Sequence, residues 1–350
     1  ELLSSAIVVG AFTARGLSAS WVDPRRCLVT NTEHTCAAPL FAETNERMVA
    51  QIAPLLEQGR VPVMGGFVGA TAAGATTTIG RGGSDLSAIA LAGALNADLC
   101  EIYTDVDGVF TCDPRAVKEA HKLDEISYDE LLEMAGAGAK VMQSRAVEFA
   151  KKFGIEFEVR SSFNRTAGTI AKEETANMED VVIRGVSIDR QQAKITIAGV
   201  PDQAGVAGRI FSAVSAADII VDMIVQNVSS HRTTDISFTV HQSEAAKAEE
   251  LLRPLISDIG ADELFAQTGL AKLSVVGIGM RSHSGVAARF FECLGRGGVN
   301  IQLISTSEIK IAVVIDEKDV EPAAQLTHEE FRLASAARVS ASLGQRTGST

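Results

Sequence analysis

The sequence predicts an α/β protein in which an open αβα sandwich with a mainly parallel sheet is followed by two ferredoxin-like βαββαβ units. Stretches with strand character alternate with stretches of helical apolar spacing through the first half of the chain, as in sheets covered by helices on both faces. The second half contains an internal repeat, which is typical of a duplicated small unit. The core is aliphatic, since 46% of the residues are hydrophobic and only 5% are aromatic. This composition favours α/β layers over a disulfide scaffold.

The elements of the first half follow from apolar spacing and from the turn residues that bound each run. Helices are predicted where apolar residues recur every three to four positions, and strands where short apolar runs lie between turn residues. A small, threonine-rich segment, 70–79, is predicted to form a turn or hairpin. The predicted helices are 2–15, 45–58, 86–95 and 128–153, and the predicted strands are 19–22, 27–30, 61–64, 99–103 and 156–160.

The repeat is visible as three pairs of similar segments in the same order. Segments 194–199, 205–211 and 218–221 resemble segments 272–277, 285–291 and 298–301, respectively. Each copy predicts a strand, a helix opened by a glycine, two strands and a second helix, with room for a closing strand. We therefore expect a first domain at 1–175, a linker at 176–190 and two similar domains at 191–268 and 269–345.

Charge and cysteine usage exclude several classes of protein. The net charge of −12 gives no bulk attraction for a phosphate backbone, so a nucleic-acid partner is not expected. The five cysteines form no Cys-x-x-Cys pair, which favours reduced thiols in the cytoplasm over disulfides or a zinc site. No uncharged apolar run approaches the roughly 18 residues of a membrane span. Because the chain opens inside a predicted helix, without methionine or signal peptide, we expect a preceding segment to be missing.

A glycine-rich turn, Gly80-Arg-Gly-Gly-Ser-Asp85, opens directly onto a predicted helix. Glycines let the backbone approach a ligand closely, and the N–H groups of a helix N-terminus attract an anion. Arg81 can grip a carboxylate or phosphate through two hydrogen bonds. Taken alone, the turn fits a plain helix start with Asp85 as the N-cap equally well.

Two further segments place charged residues beside glycines. The first, Thr104-Asp-Val-Asp-Gly-Val-Phe-Thr-Cys-Asp-Pro-Arg115, follows a strand end, where open α/β sheets bind ligands. Alone it fits an ordinary polar loop as well as a binding loop. The second, Gly136-Ala-Gly-Ala-Lys140, is too rich in glycine to favour a helix, although a loosely wound helix end is its simpler interpretation.

The combination is specific. These segments, with Gly-Gly-Phe-Val-Gly at 65–69 and Thr-Thr-Thr-Ile-Gly at 76–80, resemble the aspartate kinases of the amino-acid kinase superfamily in order and spacing. That family ends in two ACT domains, which the repeat resembles at Gly199-Val-Pro-Asp202, Val225-Gln-Asn227 and Ile304-Ser-Thr-Ser-Glu308. The resemblance covers nearly the whole chain.

The resemblance implies a role for particular residues. Arg81 would hold the α-carboxylate of aspartate, Glu1 would face its ammonium group, and Asp85 would orient the catalytic lysine of the family. Phe67 and Ser84 would line the same site. The residues implied for ATP binding are Thr104, Asp105, Phe110, Arg115 and Lys140, and those implied for effector binding are Asp202, Gly205, Asp222, Gln226, Asn227, Ser307 and Glu308.

Three departures from the family pattern bear on these roles. The Lys-Phe-Gly-Gly-Thr-Ser signature, whose lysine stabilises the transferring phosphoryl group, does not occur in these 350 residues, which we attribute to truncation. Phe110 stands where many members have tyrosine, so a hydroxyl contact there would be lost. Gln203 and Ala204 replace a common x-Pro before Gly205, which alters the first effector loop.

The function implied is transfer of a phosphoryl group from ATP, with Mg²⁺, to the side-chain carboxylate of L-aspartate. This is the first step of lysine, threonine and methionine biosynthesis. Lysine or threonine bound to the ACT domains would act as feedback effector, and the same domains would form a homo- or hetero-oligomer. No metal site built by the protein alone is predicted, because Mg²⁺ binds largely through phosphate oxygens and water. Direct ligation of the ion by Asp85 or Asp105 is the alternative interpretation.

Two alternatives remain at this point. Another amino-acid kinase would share the catalytic motifs but would not explain the ACT-like pair. A regulatory subunit that binds amino acids without catalysis would explain the absence of the signature lysine.

Overall fold

The computed structural model describes residues 1–136, 138, 142–174, 181–228 and 233–334. The chain divides into two compact units. The first unit contains residues 1–109, 122–136 and 140–178, and the second contains 110–121, 137–139 and 179–350. The segment 110–121 therefore belongs to the second unit although both its flanks belong to the first.

The first unit consists of short strands and five described helices. Its helices are α1 Leu2–Ala14, α2 Phe41–Glu57, α3 Gly83–Leu95, α4 Tyr128–Gly136 and α5 Ser144–Phe153. Its strands are β1 Ala19–Val22, β2 Val29–Thr30, β3 Val61–Met64, β4 Val68–Thr71, β5 Thr76–Thr78, β6 Cys100–Thr104, β7 Glu125–Ser127, β8 Phe157–Ser161 and β9 Thr169–Lys172.

Parallel pairing dominates in this unit. Strands β1 and β3, β2 and β4, β6 and β8, and β7 and β9 are parallel pairs. The antiparallel pairs are β8 with β9 and the hairpin of β4 with β5, which overlaps the predicted turn or hairpin segment. Parallel strands joined by helices are the basis of an αβα sandwich, so the predicted class of this domain is confirmed.

One predicted helix was wrong in extent. Segment 128–153 was expected to be a single helix, but α4 ends at Gly136 and α5 begins at Ser144. Between them Gly138 has φ +111°, and a Cβ there would overlap the carbonyl oxygen of Ile188. A helix cannot continue through that backbone conformation, and only glycine fits so close to another backbone.

The second unit is one continuous antiparallel sheet covered by helices. Its strands, in spatial order, are β11 Val221–Val228, β12 Thr233–His241, β10 Gly185–Pro201, β13 Glu263–Val276, β15 Lys310–Asp316 and β14 Leu303–Thr306. Its helices are α6 Val206–Ala216, α7 Ala245–Ile259, α8 Val286–Arg296 and α9 Val320–Glu330. Gly205 and Gly285 are the N-caps of α6 and α8, with φ +91° and +89°, so the glycine-started helices of the repeat are confirmed.

The two long strands β10 and β13 are shared between the repeats. The early part of β10, Gly185 to Asp189, pairs with the late part of β13, Lys272 to Val276. The late part of β10 pairs with the early part of β13, from Glu263 to Gln267. The register shifts midway, where Gln191 and Gly269 have positive φ.

Each repeat thereby has four strands in the ferredoxin-like order. The closing strand of the second repeat lies before the first repeat in the chain, within the segment 176–190 that the sequence predicts to be a linker.

Each repeat has its own apolar core beneath its helices. Ile195, Ile210, Phe238 and Leu252 are fully buried in the first core. The second core is built around Leu273, Phe290 and Val313, and it includes Cys112 and Val117 from the segment 110–121. No helix in the part of the chain that the structure describes has both the length and the apolar character needed to cross a membrane.

Candidate active site and effector site

The predicted substrate loop lies against the start of helix α3. Strand β3 ends at Met64 and continues into Gly65, Gly66 and Phe67. A Cβ on Gly66 would lie 3.0 Å from the Cα of Ser84, and one on Gly83 would lie 3.2 Å from the Cδ2 of Phe67. The two glycine-containing turns therefore pack backbone against backbone, which explains why the sequence requires glycine at both.

Hydrogen bonds fix Phe67 in an unusual conformation. Its φ is +68°, a region that non-glycine residues rarely occupy. The backbone N–H of Phe67 donates to Ser87 Oγ at 3.2 Å, and that hydroxyl donates to the carbonyl of Gly83 at 2.6 Å. The carbonyl of Phe67 accepts from the N–H of Ile79 at 3.0 Å. Such strain is usually found where backbone position matters for binding.

Four predicted substrate residues are arranged around these turns. The carbonyl oxygen of Glu1 lies 3.2 Å from the Cβ position of Gly65, so the start of α1 meets the same turn as Phe67 and Ser84. Glu1, Arg81 and Ser84 are exposed. Arg81 follows Gly80 directly, and its guanidinium has no hydrogen-bond or ion-pair partner among the described residues.

Asp85 is a half-buried acid rather than the N-cap that the simpler interpretation expected. The N-cap is Gly82, in the left-handed conformation with φ +73° and ψ +12°. Burial raises the pKa of Asp85, and a hydrogen bond from the backbone of Gln143 lowers it in part. A Cβ on Gly82 would overlap the side chain of Gln143, so the starts of α3 and α5 are in direct contact. Lys140, predicted to reach the phosphates, lies outside the described residues.

Sequence reasoning missed a second guanidinium beside the substrate loop. Arg145 Nη1 donates to the carbonyl of Ile79 at 3.1 Å and to the Cys36 sulfur at 3.6 Å. The hydroxyls of Thr30 in β2 and Thr77 in β5 are buried and lie 2.7 Å apart. Arg145 lies in the first turn of a helix, five residues after the predicted phosphate-binding Lys140. Its closeness in sequence to Lys140 was the available signal that it lies near the site.

The first half of the nucleotide loop lies at the carboxyl ends of two parallel strands. Thr104 ends β6 opposite Ser161 at the end of β8. The carbonyl of Thr104 accepts from the N–H of Ser162 at 2.8 Å, and its hydroxyl donates to Asp105 at 3.2 Å. Asp105 is exposed. This edge of a parallel sheet is where such folds bind ligands.

The second half of the loop belongs to the second unit. Phe110 is half-buried, and Arg115 has a side chain that is 90% exposed. The guanidinium of Arg115 forms a two-point ion pair with Asp113 at 2.9 and 3.0 Å. This hydrogen bonding by Arg115 lowers the pKa of Asp113. Arg115 is therefore held as a charged group at a defined position, although one carboxylate already partly satisfies it.

The predicted effector residues lie on three separate parts of the second unit. Asp202 and Gly205 are exposed in the loop before α6, while Gln226 and Asn227 are exposed on the edge strand β11. Asp222 differs from them, because its carboxylate forms an ion pair with Lys272. Asp222 is thus already engaged.

Lys272 is the most unexpected residue of this unit. It is only 2% exposed, and its ammonium also lies 3.7 Å from Asp189. A lysine in a strand is ordinarily solvent-facing, so sequence reasoning gave no reason to single it out.

The third group lies at the turn between β14 and β15. Ser307 and Glu308 are exposed, and the N–H of Ser307 donates to the carbonyl of Lys310 at 2.8 Å. The Nε of Arg281 lies 3.5 Å from a carboxylate oxygen of Glu308. Glu308 therefore lies beside the segment that leads into α8, and its role in effector binding stays a prediction.

Among the residues that the structure describes, no group of three or more His, Cys, Asp or Glu side chains is arranged to hold a metal ion.

Comparison with known proteins agrees with this architecture. The family model for the amino acid kinase family matches residues 1–161, and that for the ACT domain matches 195–253 and 273–331. The chain is 48% identical to an aspartate kinase of Pseudomonas fluorescens over 340 residues, covering 97% of this chain and 81% of that protein. It is 42% identical to an aspartokinase of Helicobacter pylori over 337 residues, covering 95% and 82%.

Solved structures give the same result. Escherichia coli aspartokinase III in complex with aspartate and ADP aligns with a TM-score of 0.78 at 30% identity, covering 94% of this chain and 73% of that one. The aspartate kinase of Clostridium acetobutylicum has the same fold, with a TM-score of 0.82 at 23% identity and coverage of 95% and 74%. The predicted fold class and family are confirmed: the chain belongs to the aspartate kinases, enzymes in which an amino acid kinase domain is followed by two ACT domains.

Proposed function

We propose that this enzyme transfers the γ-phosphoryl group of ATP to the side-chain carboxylate of L-aspartate, giving 4-phospho-L-aspartate. This would be the first step of lysine, threonine and methionine biosynthesis. The observation that carries the proposal is the packing of the turn at Gly65–Gly66–Phe67 on the turn at Gly82–Gly83–Ser84. Phe67 and Ser84 lie on these two turns, Arg81 directly precedes the second turn, and the backbone carbonyl of Glu1 meets the first.

Each of these groups suits one part of an amino-acid substrate. The free guanidinium of Arg81 can bind the α-carboxylate by two hydrogen bonds, which is the geometry that arginine favours. The carboxylate of Glu1 can bind the ammonium group. The solved E. coli relative contains aspartate and ADP, which supports the choice of both ligands.

The reaction needs positioning and charge neutralisation rather than a base. A carboxylate nucleophile has an ordinary pKa of about 4 and is ionised at neutral pH. Phosphoryl transfer then depends on in-line placement and on cations around the phosphates. Arg115 and Lys140 are the proposed cations of the nucleotide site, and the N–H groups at the start of α3 add aligned dipoles.

Mg²⁺ would accompany the nucleotide. The Thr104 hydroxyl and the exposed Asp105 carboxylate at the end of β6 are oxygen donors of the type that Mg²⁺ prefers. When bound, the ion would neutralise charge on the phosphates, while Thr104 and Phe110 would orient the nucleotide.

The ACT domains are proposed to bind an amino-acid effector, lysine first and threonine second. A solved complex of E. coli aspartokinase III contains lysine with aspartate, which supports lysine. Asp202 and Glu308 are the preferred acceptors for an effector ammonium: Asp202 is exposed, and the Glu308 side chain stays 83% exposed beside Arg281, whereas Asp222 is paired with the buried Lys272. Strands β11 and β14 are the outermost strands of the sheet, and such strands favour assembly of a homo- or hetero-oligomer through these domains.

The test is formation of aspartyl phosphate, measured as the hydroxamate and, independently, as ADP release. The enzyme should accept aspartate and reject glutamate, which is one methylene longer. ADP release with glutamate but not aspartate would favour another amino-acid kinase, and amino-acid binding without ADP release would favour a regulatory subunit.

The signature strand gives a second test of the same proposal. A chain that also carries the Lys-Phe-Gly-Gly-Thr-Ser strand should be faster than residues 1–350 by on the order of 10² to 10³, the usual effect of one donor to the transition state. Replacing only the lysine of that strand by methionine is the matched control. Equal rates for all three chains would contradict the assignment.

A further inference from the structure

The segment 110–121 contains the second half of the predicted nucleotide loop and belongs to the same compact unit as the second ACT domain. Its chain neighbours Val109 and Lys122 belong to the first unit, yet the segment itself clusters with the second. Cys112 and Val117 are fully buried in the core of the second repeat. The predicted nucleotide residues Phe110 and Arg115 lie on this same segment, so their placement depends on how it is anchored.

Thr111 is the point at which this segment is tied to two regulatory elements. Its side chain is buried, and its Oγ1 lies 2.9 Å from Nε2 of His328, a fully buried residue of helix α9. Its carbonyl accepts from the N–H of Val186 in strand β10 at 2.7 Å. The bond to His328 joins residues 217 positions apart.

The same threonine closes the base of the segment. The N–H of Thr111 donates to the carbonyl of His121 at 3.0 Å, and the N–H of His121 donates to Thr111 Oγ1 at 3.2 Å. These two bonds bring the ends of the loop 111–121 together at Thr111. Thr111 is in turn bonded to His328 of α9 and to Val186 of β10. A shift of α9 would be transmitted to Thr111 and hence to Phe110, its immediate neighbour.

Two histidines bring unsatisfied polar atoms into this core, where apolar side chains would carry no such cost. The Nδ1 atoms of His328 and of His121 are both buried without a hydrogen-bond partner among the described residues. Such groups cost stability, and their retention in a core calls for an explanation. Glu119, which accepts from Gln325 of α9 at 3.1 Å, and Glu329 are the acidic groups that act on His328.

We propose that Thr111 and His328 are positioning residues that transmit the state of the second ACT domain to the nucleotide loop at Phe110 and Arg115. The inference rests on the proposed function, since it assigns the loop to ATP. The Thr111–His328 hydrogen bond holds Phe110 and Arg115 in the nucleotide-binding arrangement, and movement of α9 upon effector binding loosens that arrangement.

Burial keeps the imidazole of His328 neutral. Desolvation lowers its pKa, the nearby His121 lowers it further, and Glu119 and Glu329 oppose the change. In the tautomer that carries its proton at Nε2, the neutral ring donates to Thr111 Oγ1 and leaves Nδ1 without a proton, whereas a protonated ring would bring an unpaired N–H at Nδ1 into the core. The contact is therefore maintained across the neutral pH range.

The experiment compares Thr111→Val with Thr111→Ser and Thr327→Val in the chain that carries the signature strand. Valine keeps the shape of Thr111 and removes the hydroxyl, while serine keeps the hydroxyl. Thr327 is the matched control, because it is a fully buried threonine of helix α9 whose hydroxyl donates to the carbonyl of Ala323 in its own helix at 2.7 Å.

The first measurement is affinity for a non-hydrolysable ATP analogue with Mg²⁺. Thr111→Val should weaken it at least about 3-fold, because the hydroxyl contacts with His328 and with the N–H of His121 are both lost. The KM for aspartate should stay unchanged. Thr111→Ser and Thr327→Val should retain the affinity. The double variant Thr111→Val/His328→Leu should bind the analogue no more weakly than the weaker-binding of its two single variants, because both changes remove the same hydrogen bond.

The second measurement is hydrogen exchange of residues 320–330 with and without the analogue. The analogue should slow exchange in this helix in the unaltered enzyme and in Thr327→Val but not in Thr111→Val. If Thr111→Val or His328→Leu does not fold, the inference is tested on the unaltered enzyme alone. Exchange in α9 that is the same with and without the analogue would overturn the inference.

The two proposals fail in different ways. An unaltered enzyme that forms no aspartyl phosphate would contradict the proposed function. An active enzyme whose nucleotide affinity is the same in Thr111→Val, in Thr111→Ser and in the unaltered chain would contradict this inference alone.

Discussion

At the scale of single residues, the free guanidinium of Arg81 is the most informative feature. Two other arginines near the predicted site already have partners: Arg145 donates to the carbonyl of Ile79, and Arg115 is paired with Asp113. Arg81 alone among these three has no partner among the described residues. An exposed arginine on a rigid glycine turn is suited to take a partner from solution, and we expect that partner to be the α-carboxylate of aspartate.

Arg81→Ala should therefore raise the KM for aspartate and leave nucleotide affinity nearly unchanged. Losing a two-point charged contact costs about 2 to 4 kcal/mol, a factor of roughly 30 to 1,000. Arg81→Lys should recover only part, because an ammonium cannot reproduce the planar fork. Steady-state kinetics measure both effects, with the exposed Arg15 at the far end of α1 as control. Weakened ATP binding with normal aspartate binding would reverse the assignment.

Asp85 gives a prediction with a definite pH dependence. Burial raises its pKa, so the folded state binds the proton more tightly than the unfolded state does. Its ionised form therefore costs stability, fully so above the raised folded pKa and not at all below the unfolded value of about 3.9. Asp85→Asn should raise the unfolding midpoint at pH 7.5, lose that advantage as the pH falls to 4, and form aspartyl phosphate more slowly.

Thermal melts of both chains across that range test the sign, and the exposed Asp98→Asn is the matched control. A lower midpoint for Asp85→Asn at pH 7.5 would show that the carboxylate stabilises the fold instead.

At the scale of elements, the contact between the starts of α3 and α5 depends on Gly82. Its φ of +73° already disfavours other residues, and the Gln143 side chain fills the space where a Cβ would lie. Gly74 offers a matched comparison, because it has φ +89° but nothing within 4 Å of its Cβ position. The two glycines separate the effect of backbone conformation from the effect of packing.

Gly74→Ala should lower the free energy of unfolding by about 1 to 2 kcal/mol, the cost of a left-handed non-glycine residue. Gly82→Ala should lower it further and also raise the KM for aspartate, because relieving the clash displaces Ser84 and Asp85. Denaturant titration and kinetics give the two quantities. Adding Gln143→Gly to Gly82→Ala should recover part of the loss, and equal effects at both glycines would refute the packing argument.

Element prediction from sequence succeeded where the signal was local. The glycines at 205 and 285 predicted two helix starts, and the threonine-rich segment predicted the β4–β5 hairpin. It failed where a distant partner decides the outcome. Gly138 breaks the predicted helix 128–153 because it lies against Ile188, and Lys272 is buried because Asp222 and Asp189 lie beside it. The candidate site shows the same division: its glycine turns were predictable, whereas Arg145 and Thr111 depend on residues far away in the chain.

At the scale of the whole molecule, regulation should appear as ligand-dependent stability. Because Cys112 and Val117 fill the core of the second repeat, a fragment that starts at residue 181 would lack part of that core. The effector prediction is therefore best tested on the whole chain rather than on isolated ACT domains.

Thermal melts of the whole chain should show stabilisation by lysine or threonine and, apart from the substrate aspartate, by no other amino acid tested at millimolar concentration. A ligand at about 100 times its Kd stabilises the bound form by roughly 2.7 kcal/mol. Asp202→Ala or Glu308→Ala should remove the shift, and the exposed Asp258→Ala should retain it. Absence of any shift with all twenty amino acids would leave a purely structural role for the repeats.

The strand exchange between the repeats also orders their folding in time. The ribosome makes the early part of β10 before any of the first ACT domain, but its partner in β13 emerges only after that domain is complete. Until then this hydrophobic stretch has an unpaired edge, which is a hazard for aggregation during synthesis. The first ACT domain therefore folds while the early part of β10 is still unpaired. A chain truncated before the late part of β13 would leave that strand unpaired permanently.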